Sequence, residues 1–295
     1  MSEALDFSSL AWVRHEIQKN LEKIRQTLER ALDAGEPPPV EEARQELRQI
    51  QGTLEMIGIQ GAILLTQELD ALLEDLSEHP GEREEDTYEV LMETFLVLSH
   101  YLEWSQQHRQ DIPLAVLPYM NKLRRARGAP PLKEQDLFQP ELSAEPPPPP
   151  SQAPAIQELI PRLRPAYEKT LLHWLRRDTP QAPLLKEWDA ILETLQQAHQ
   201  PRESARLWWI ARGILEAMQQ DALEPDLSLQ HLLGELDHQL RLLQQGRWDQ
   251  DQSLPLAREL LFHLARTSAH GPLVSSIKHA FRLEALLPSQ ETLEA

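Results

Sequence analysis

Apolar residues recur at steps of three and four from Leu10 through Val13, Ile17, Leu21 and Ile24 to Leu28, the spacing that lines one face of an α-helix. Ser8 or Ser9 supplies a plausible N-cap, and Gly35 followed by three prolines ends the segment. Val40, Ala43, Leu47, Ile50, Leu54 and Ile57 repeat the stepping, as do Ile59, Ala62, Leu69, Leu72 and Leu76 up to a break at Pro80-Gly81. A fourth stripe holds Tyr88, Leu91, Phe95, Leu98 and Leu102. Four amphipathic helices with short joints predict an antiparallel bundle. A shorter helix is expected from about Leu117 to Arg127, with Pro118 in its first turn and Gly128 as its stop.

The pattern resumes after an interruption. Ile156, Leu159, Leu163, Tyr167, Leu171 and Trp174 form one stripe, and Leu184, Trp188, Ile191 and Leu195 the next. Four more segments follow (208–218, 229–243, 256–264 and 274–286), separated by Pro201, Pro225, Gly246 and Gly271-Pro272. No β-alternation of comparable length competes, so the fold class is all-α: two helical bundles. The interruption, residues 139–154 (QPELSAEPPPPPSQAP), contains five consecutive prolines that favour extended polyproline II. Its bland reading is a semi-rigid spacer. A docking site for a polyproline-reading module is the rarer use. The expected domains are thus 1–138, a linker at 139–154, and 155–290.

Composition narrows the function. The 295 residues carry a formal charge of −18, which argues against nucleic acid or an anionic membrane surface as the main partner. The acidity concentrates before residue 141, notably across 82–89, where a solvated loop and an acidic first helical turn account for it. With no cysteine, thiolate metal sites, disulfides and cysteine nucleophiles are excluded. Ten glycines are too few for several phosphate-cradling loops, and neither G-x-x-x-x-G-K-[ST] nor G-x-G-x-x-G occurs. Together these point away from an enzyme and imply no cofactor. Residues 1–6 lack a signal-peptide pattern and no apolar run approaches the roughly 20 residues of a membrane span, so the expected compartment is the cytoplasm, without membrane insertion.

The second predicted helix has a distinctive reverse face. With its apolar stripe buried, Arg44, Arg48, Gln51 and Glu55 are expected to face solvent, with Gly52 beside them. A glycine inside a helix costs about 1 kcal/mol relative to alanine and suggests close approach by a backbone or partner, tight helix packing being the structural alternative. Gly213 shares the setting: Trp208, Ala211, Leu215 and Met218 surround it at the offsets that Leu47, Ile50, Leu54 and Ile57 hold around Gly52. The polar offsets hold Arg48, Gln51 and Glu55 in one half, and Trp209, Arg212 and Glu216 in the other. This suggests a duplicated bundle.

That pattern resembles histidine phosphotransfer domains, four-helix bundles whose second helix carries H-x-x-K-G with the histidine exposed to a receiver domain. The corresponding residues are Arg48-Gln49-Ile50-Gln51-Gly52 and Trp209-Ile210-Ala211-Arg212-Gly213, so arginine or tryptophan fills the histidine slot. More narrowly, residues 49–73, 89–95 (EVLMETF) and 111–128 (DIPLAVLPYMNKLRRARG) resemble the N-terminal region of ChpA/PilL-type hybrid kinases of type IV pilus systems, and the related FimL scaffold family. Residues 137–143 and 256–266 extend the similarity through both halves. The resemblance implies two degenerate phosphotransfer bundles without phosphoacceptor, docking CheY-like receivers or other pathway proteins. Its implied docking residues are Arg44, Arg48, Gln51, Gly52, Glu55, Trp209, Arg212, Gly213 and Glu216. The alternative is the N-terminal part of a hybrid kinase taking part in phosphorelay, although the kinase and receiver regions have no counterpart here. A third reading is a helical scaffold unrelated to phosphorelay.

Other chemistry ranks lower. Glu235 and His238 have E-x-x-H spacing, but a di-metal bundle needs a second copy and none is evident, so no metal site is expected. The basic residues Lys122, Arg124, Arg125 and Arg127 complement a helix C-terminus, an anion site being the rarer use. Most of the seven tryptophans fall on apolar stripes and suit core packing, while adjacent Trp208 and Trp209 cannot face the same way.

Overall fold

The structure, a computed structural model, describes residues 7–79, 85–248 and 250–289. The expected break at Pro80-Gly81, the start of the acidic run, the N-terminal 1–6 and the end of the second domain at 290 lie outside these residues. Among the described residues the fold is all-α. No strand occurs, only one isolated parallel bridge between Ala155 and His199. The chain divides into two compact units: Phe138–Glu284 forms the second, and the described residues up to Leu137 together with 285–289 belong to the first.

The first unit follows the periodicity closely. Helix α1 spans Phe7–Asp33, α2 Val40–Ile57, α3 Gln60–Glu78 and α4 Glu85–His108. Because α1 is already helical at Phe7, Ser8 and Ser9 sit within its first described turn and do not cap it. All six apolar residues of the α2 stripe are buried, as are Leu91, Phe95, Leu98 and Leu102 of α4. Each such leucine or isoleucine contributes about 1.5–3 kcal/mol by leaving water. The helices form a ring in which α1 and α3 each pack against α2 and α4. Side-chain register makes the neighbours antiparallel: Arg14 near the start of α1 pairs with Glu103 near the end of α4, and Arg44 early in α2 pairs with Glu74 late in α3.

The α2–α3 joint is tight. Gly58, at φ 84°, donates to Leu54 O at 2.8 Å and ends α2 in the left-handed region that suits glycine. The first N–H groups of α3 then need acceptors from elsewhere. Asp111 supplies them, accepting from Gln60 N and Gly61 N and from the Tyr101 hydroxyl, which itself accepts from Ile112 N. Gly61 makes room for this clasp, since a Cβ there would lie 2.3 Å from Tyr101 Oη. A 3-10 turn, Pro113–Val116, leads into α5, Leu117–Ala126, which lies against α3 and α4. A one-turn helix that the periodicity does not show, α6 (Glu134–Leu137), closes the unit.

The second unit contains α7 (Ile156–Arg176), α8 (Gln181–Gln196), α9 (Arg202–Gln219), α10 (Leu227–Gln244), α11 (Gln250–Arg266) and α12 (Pro272–Ala280). It is built differently from the first. Helix α10 packs on both α7 and α11, so the ring holds five helices, with α12 laid across α9 and α11. Its centre is aromatic: fully buried Trp188 meets the edges of Tyr167 and Trp174, each at 5.5 Å between ring centres.

The proline-rich segment is packed onto this unit. Phe138 is buried edge-on against Phe262 at 5.4 Å. Arg206 Nε donates to Ala144 O at 2.8 Å and Arg202 pairs with Glu145 at 2.9 Å. Downstream, His199 N donates to Pro154 O and Ile156 N to His199 O.

Candidate partner-docking face

The α2 residues expected to share an open face separate into two groups. Arg44 is a correction: its side chain is 7% exposed, with Nε 3.1 Å from Asp70 and Nη2 2.7 Å from Glu74, both on α3. Position 44 borders the apolar stripe, and α3 packs closely enough to cover it. Burial opposes the guanidinium charge, but hydrogen bonds to Asp70 and Glu74 outweigh it and raise the pKa. Arg44 therefore joins α2 to α3 and is not available to a partner.

Arg48, one turn on, is 54% exposed and reaches the other oxygen of Asp70 at 3.4 Å. An ion pair so open to water contributes at most about 1 kcal/mol and exchanges readily. Gln51 donates to Glu55 at 2.8 Å, and both stay at the surface. Gly52 is half-buried by its own helix, yet a Cβ built on it would meet nothing within 4 Å. Packing inside the unit therefore does not account for this glycine. Met56, 88% exposed and four residues further along the same line, extends the face; the sequence reading passed over it because it lies off the apolar stripe. Arg48, Gly52 and Met56 thus form a low strip with a cation at one end, an adaptable apolar chain at the other and bare backbone between.

The corresponding residues of the second unit are covered. Trp209 is 4% exposed, its ring 5.7 Å from Phe281 just past α12. A Cβ on Gly213 would lie 2.6 Å from Ile277 of α12 and 3.2 Å from Leu264 of α11. Glu216 accepts from Val274 N at 2.7 Å, in the first turn of α12. Arg212 is tied to α8, with Asp189 at 2.8 Å, Glu193 at 3.2 Å and Gln196 Oε1 at 3.0 Å. Gly52 and Gly213 therefore do not share a setting: one lies on an outer flank of the second helix of its unit, the other under the cap of the third. Trp208 points away from Trp209 into the core, where its Nε1 donates to Gln200 at 2.9 Å.

The remaining candidates fall into place. Arg124 and Arg127 each hold buried Glu68 at 2.6 Å, and Lys122 pairs with Glu93, which leaves Arg125 as the exposed cation of that helix end. Such pairing leaves no cluster of free cations for an anion. Glu235 and His238 are each partly exposed, and no group of three metal-ligating side chains occurs among the described residues. No described helix is long and apolar enough to cross a membrane.

Residues 152–294 match the family described as FimL scaffold protein second domain. Over 294 residues, 97% of this chain, the sequence is 30% identical to Scaffold protein FimL of Pseudomonas aeruginosa. The chain is similar to FimL. It spans about half of that relative's length, 52%. No solved structure matches it. The stretch similar to the FimL second domain includes α12, the element that covers Trp209 and Gly213, and begins after the proline run that packs on the same unit.

Proposed function

We propose that this chain is a non-catalytic scaffold in pilus-associated signalling and that its first unit docks CheY-like receiver domains through Arg48, Gln51, Gly52, Glu55 and Met56. The observation that carries this reading is the bare backbone at Gly52, open to solvent on a bundle flank and unexplained by internal packing. A partner helix can approach most closely where no side chain intervenes, while Arg48 offers an exposed cation to a carboxylate-rich partner surface. The name of the relative, a scaffold protein, supports the same role. With arginine in the histidine slot, the face has no side chain able to form a phosphoramidate, so docking there is separate from phosphoryl transfer.

Calorimetric titration of the full chain with purified CheY-like receivers from the same genome tests the reading. Gly52→Leu and Arg48→Glu are each expected to weaken binding about tenfold or more, equivalent to about 1.4 kcal/mol. Unchanged affinity in both variants rejects the face. Incubation with a phosphorylated receiver is expected to leave no acid-labile phosphate on the chain.

A further inference from the structure

Residues 146–150 are five consecutive prolines outside any helix. Each residue from 145 to 149 precedes a proline and is thereby driven out of the helical region, while every proline fixes its own φ near −65°. The run is therefore a polyproline II helix of three residues per turn. Burial follows that period: Pro146 and Pro149 are half-buried, whereas Pro147, Pro148 and Pro150 are exposed. Pro147 and Pro150, three residues apart, share an outward face in P-x-x-P register.

Both ends are fastened to the second unit. Upstream, Arg206 holds the Ala144 carbonyl at 2.8 Å, with the water-exposed Arg202–Glu145 pair beside it. Downstream, a local turn closes as Ala153 N donates to Pro150 O, and His199 N then ties the end of the segment by donating to Pro154 O at 2.9 Å. A flexible spacer has no need of such anchors. They reduce the conformational freedom that a loose proline-rich tail would lose on binding. Charge describes the other side of the contact. No lysine or arginine lies between Lys133 and Arg162, while Glu141 is exposed just before the run and Glu145 is answered by arginine.

We propose that this strap is a docking ligand for a protein module with an aromatic-lined groove that receives Pro147 and Pro150, its rim cationic toward Glu141. Such grooves read a preformed polyproline II helix through its ring faces. The surface is distinct from the α2 face and independent of receiver docking.

The test places a photo-cross-linking residue at position 148 of the full chain in its native cells. The expected result is a single-protein adduct that excess peptide of residues 139–154 suppresses. The purified partner is then titrated with full-length variants whose helical circular dichroism matches the parent. Pro147→Ala/Pro150→Ala is expected to weaken binding about tenfold, whereas the inward pair Pro146→Ala/Pro149→Ala changes it less than about twofold. Absence of an adduct, an adduct indifferent to the peptide, or equal affinity of the two double variants overturns the proposal and leaves the strap a spacer.

Discussion

Arg44 and Arg48 stand one helical turn apart on α2 and divide the two oxygens of Asp70 between them, Arg44 at 3.1 Å and Arg48 at 3.4 Å. Their settings differ more than their sequence contexts. Arg44 is enclosed and also bound to Glu74, whereas Arg48 keeps more than half its side chain in water. Arg44→Ala leaves Asp70 facing the packed α2–α3 seam without its closest cation, and is expected to cost about 1–3 kcal/mol of stability. Arg48→Ala should cost less than about 1 kcal/mol. Urea denaturation midpoints of the two variants check the difference.

The helical glycines predict opposite outcomes. Gly52→Ala adds a methyl group to open space and removes a helix-weakening glycine, so it should stabilise the first unit by about 0.5–1 kcal/mol. Gly61→Ala drives a methyl into Tyr101 and disturbs the Asp111 clasp, for a loss of about 1–3 kcal/mol. Gly213→Ala meets the end of Ile277, a side chain that can yield, and should fall between these two. Thermal melts of the three variants give the order directly.

Acid should act on the two units with opposite sign. Burial, only partly offset by hydrogen bonds from Tyr101, Gly61 and Gln60, raises the Asp111 carboxyl above its ordinary 3.8. A raised carboxyl contributes stability that is complete below 3.8 and is lost as pH climbs through the folded value. His263 is the reverse case. Burial lowers it from 6.5, with Arg266 adding to the effect and Asp226 and Glu259 opposing it. Its contribution is complete above 6.5 and disappears as pH falls through the lowered value. Melting temperatures between pH 4 and 7 should therefore lose one acid-sensitive component in His263→Gln, which gives up the titrating imidazole.

Phe138→Ala should destabilise the second unit by about 3–5 kcal/mol, since it removes a ring buried against Phe262. Guanidinium titration followed by tryptophan emission measures the loss. An unchanged midpoint would show that the residues before the proline run are not part of this folding unit.

The helices were legible because burial on a bundle is periodic: each stripe residue from Val40 to Ile57 in α2 is covered, as its spacing implies. Arg44 was misread for the same reason. Periodicity marks the centre of a buried face, but how far the neighbouring helix wraps around that face depends on packing distance, and α3 reaches over position 44. The cover over Trp209 and Gly213 was invisible locally, because α12 and the residue that ends it return from some sixty to seventy residues downstream to supply Ile277 and Phe281. The anchoring of the proline run was hidden likewise, since Arg202 and Arg206 carry no mark linking them to Ala144 and Glu145. Gly52 was the exception: a glycine where helix propensity disfavours one pointed to the strip that the packing leaves bare.

Five of the seven indoles belong to the second unit, Trp174, Trp188, Trp208, Trp209 and Trp248, and four of these are buried. The first unit holds Trp104, stacked on His108, and Trp12, which is 87% exposed and already bathed in water before any unfolding. Trp104 is buried as well, so four of the five buried indoles lie in the second unit and intrinsic emission reports mainly on it, while peptide ellipticity sums over both. Two optical traces of one denaturation need not coincide, and their separation measures how independently the halves melt, without any populated intermediate in either.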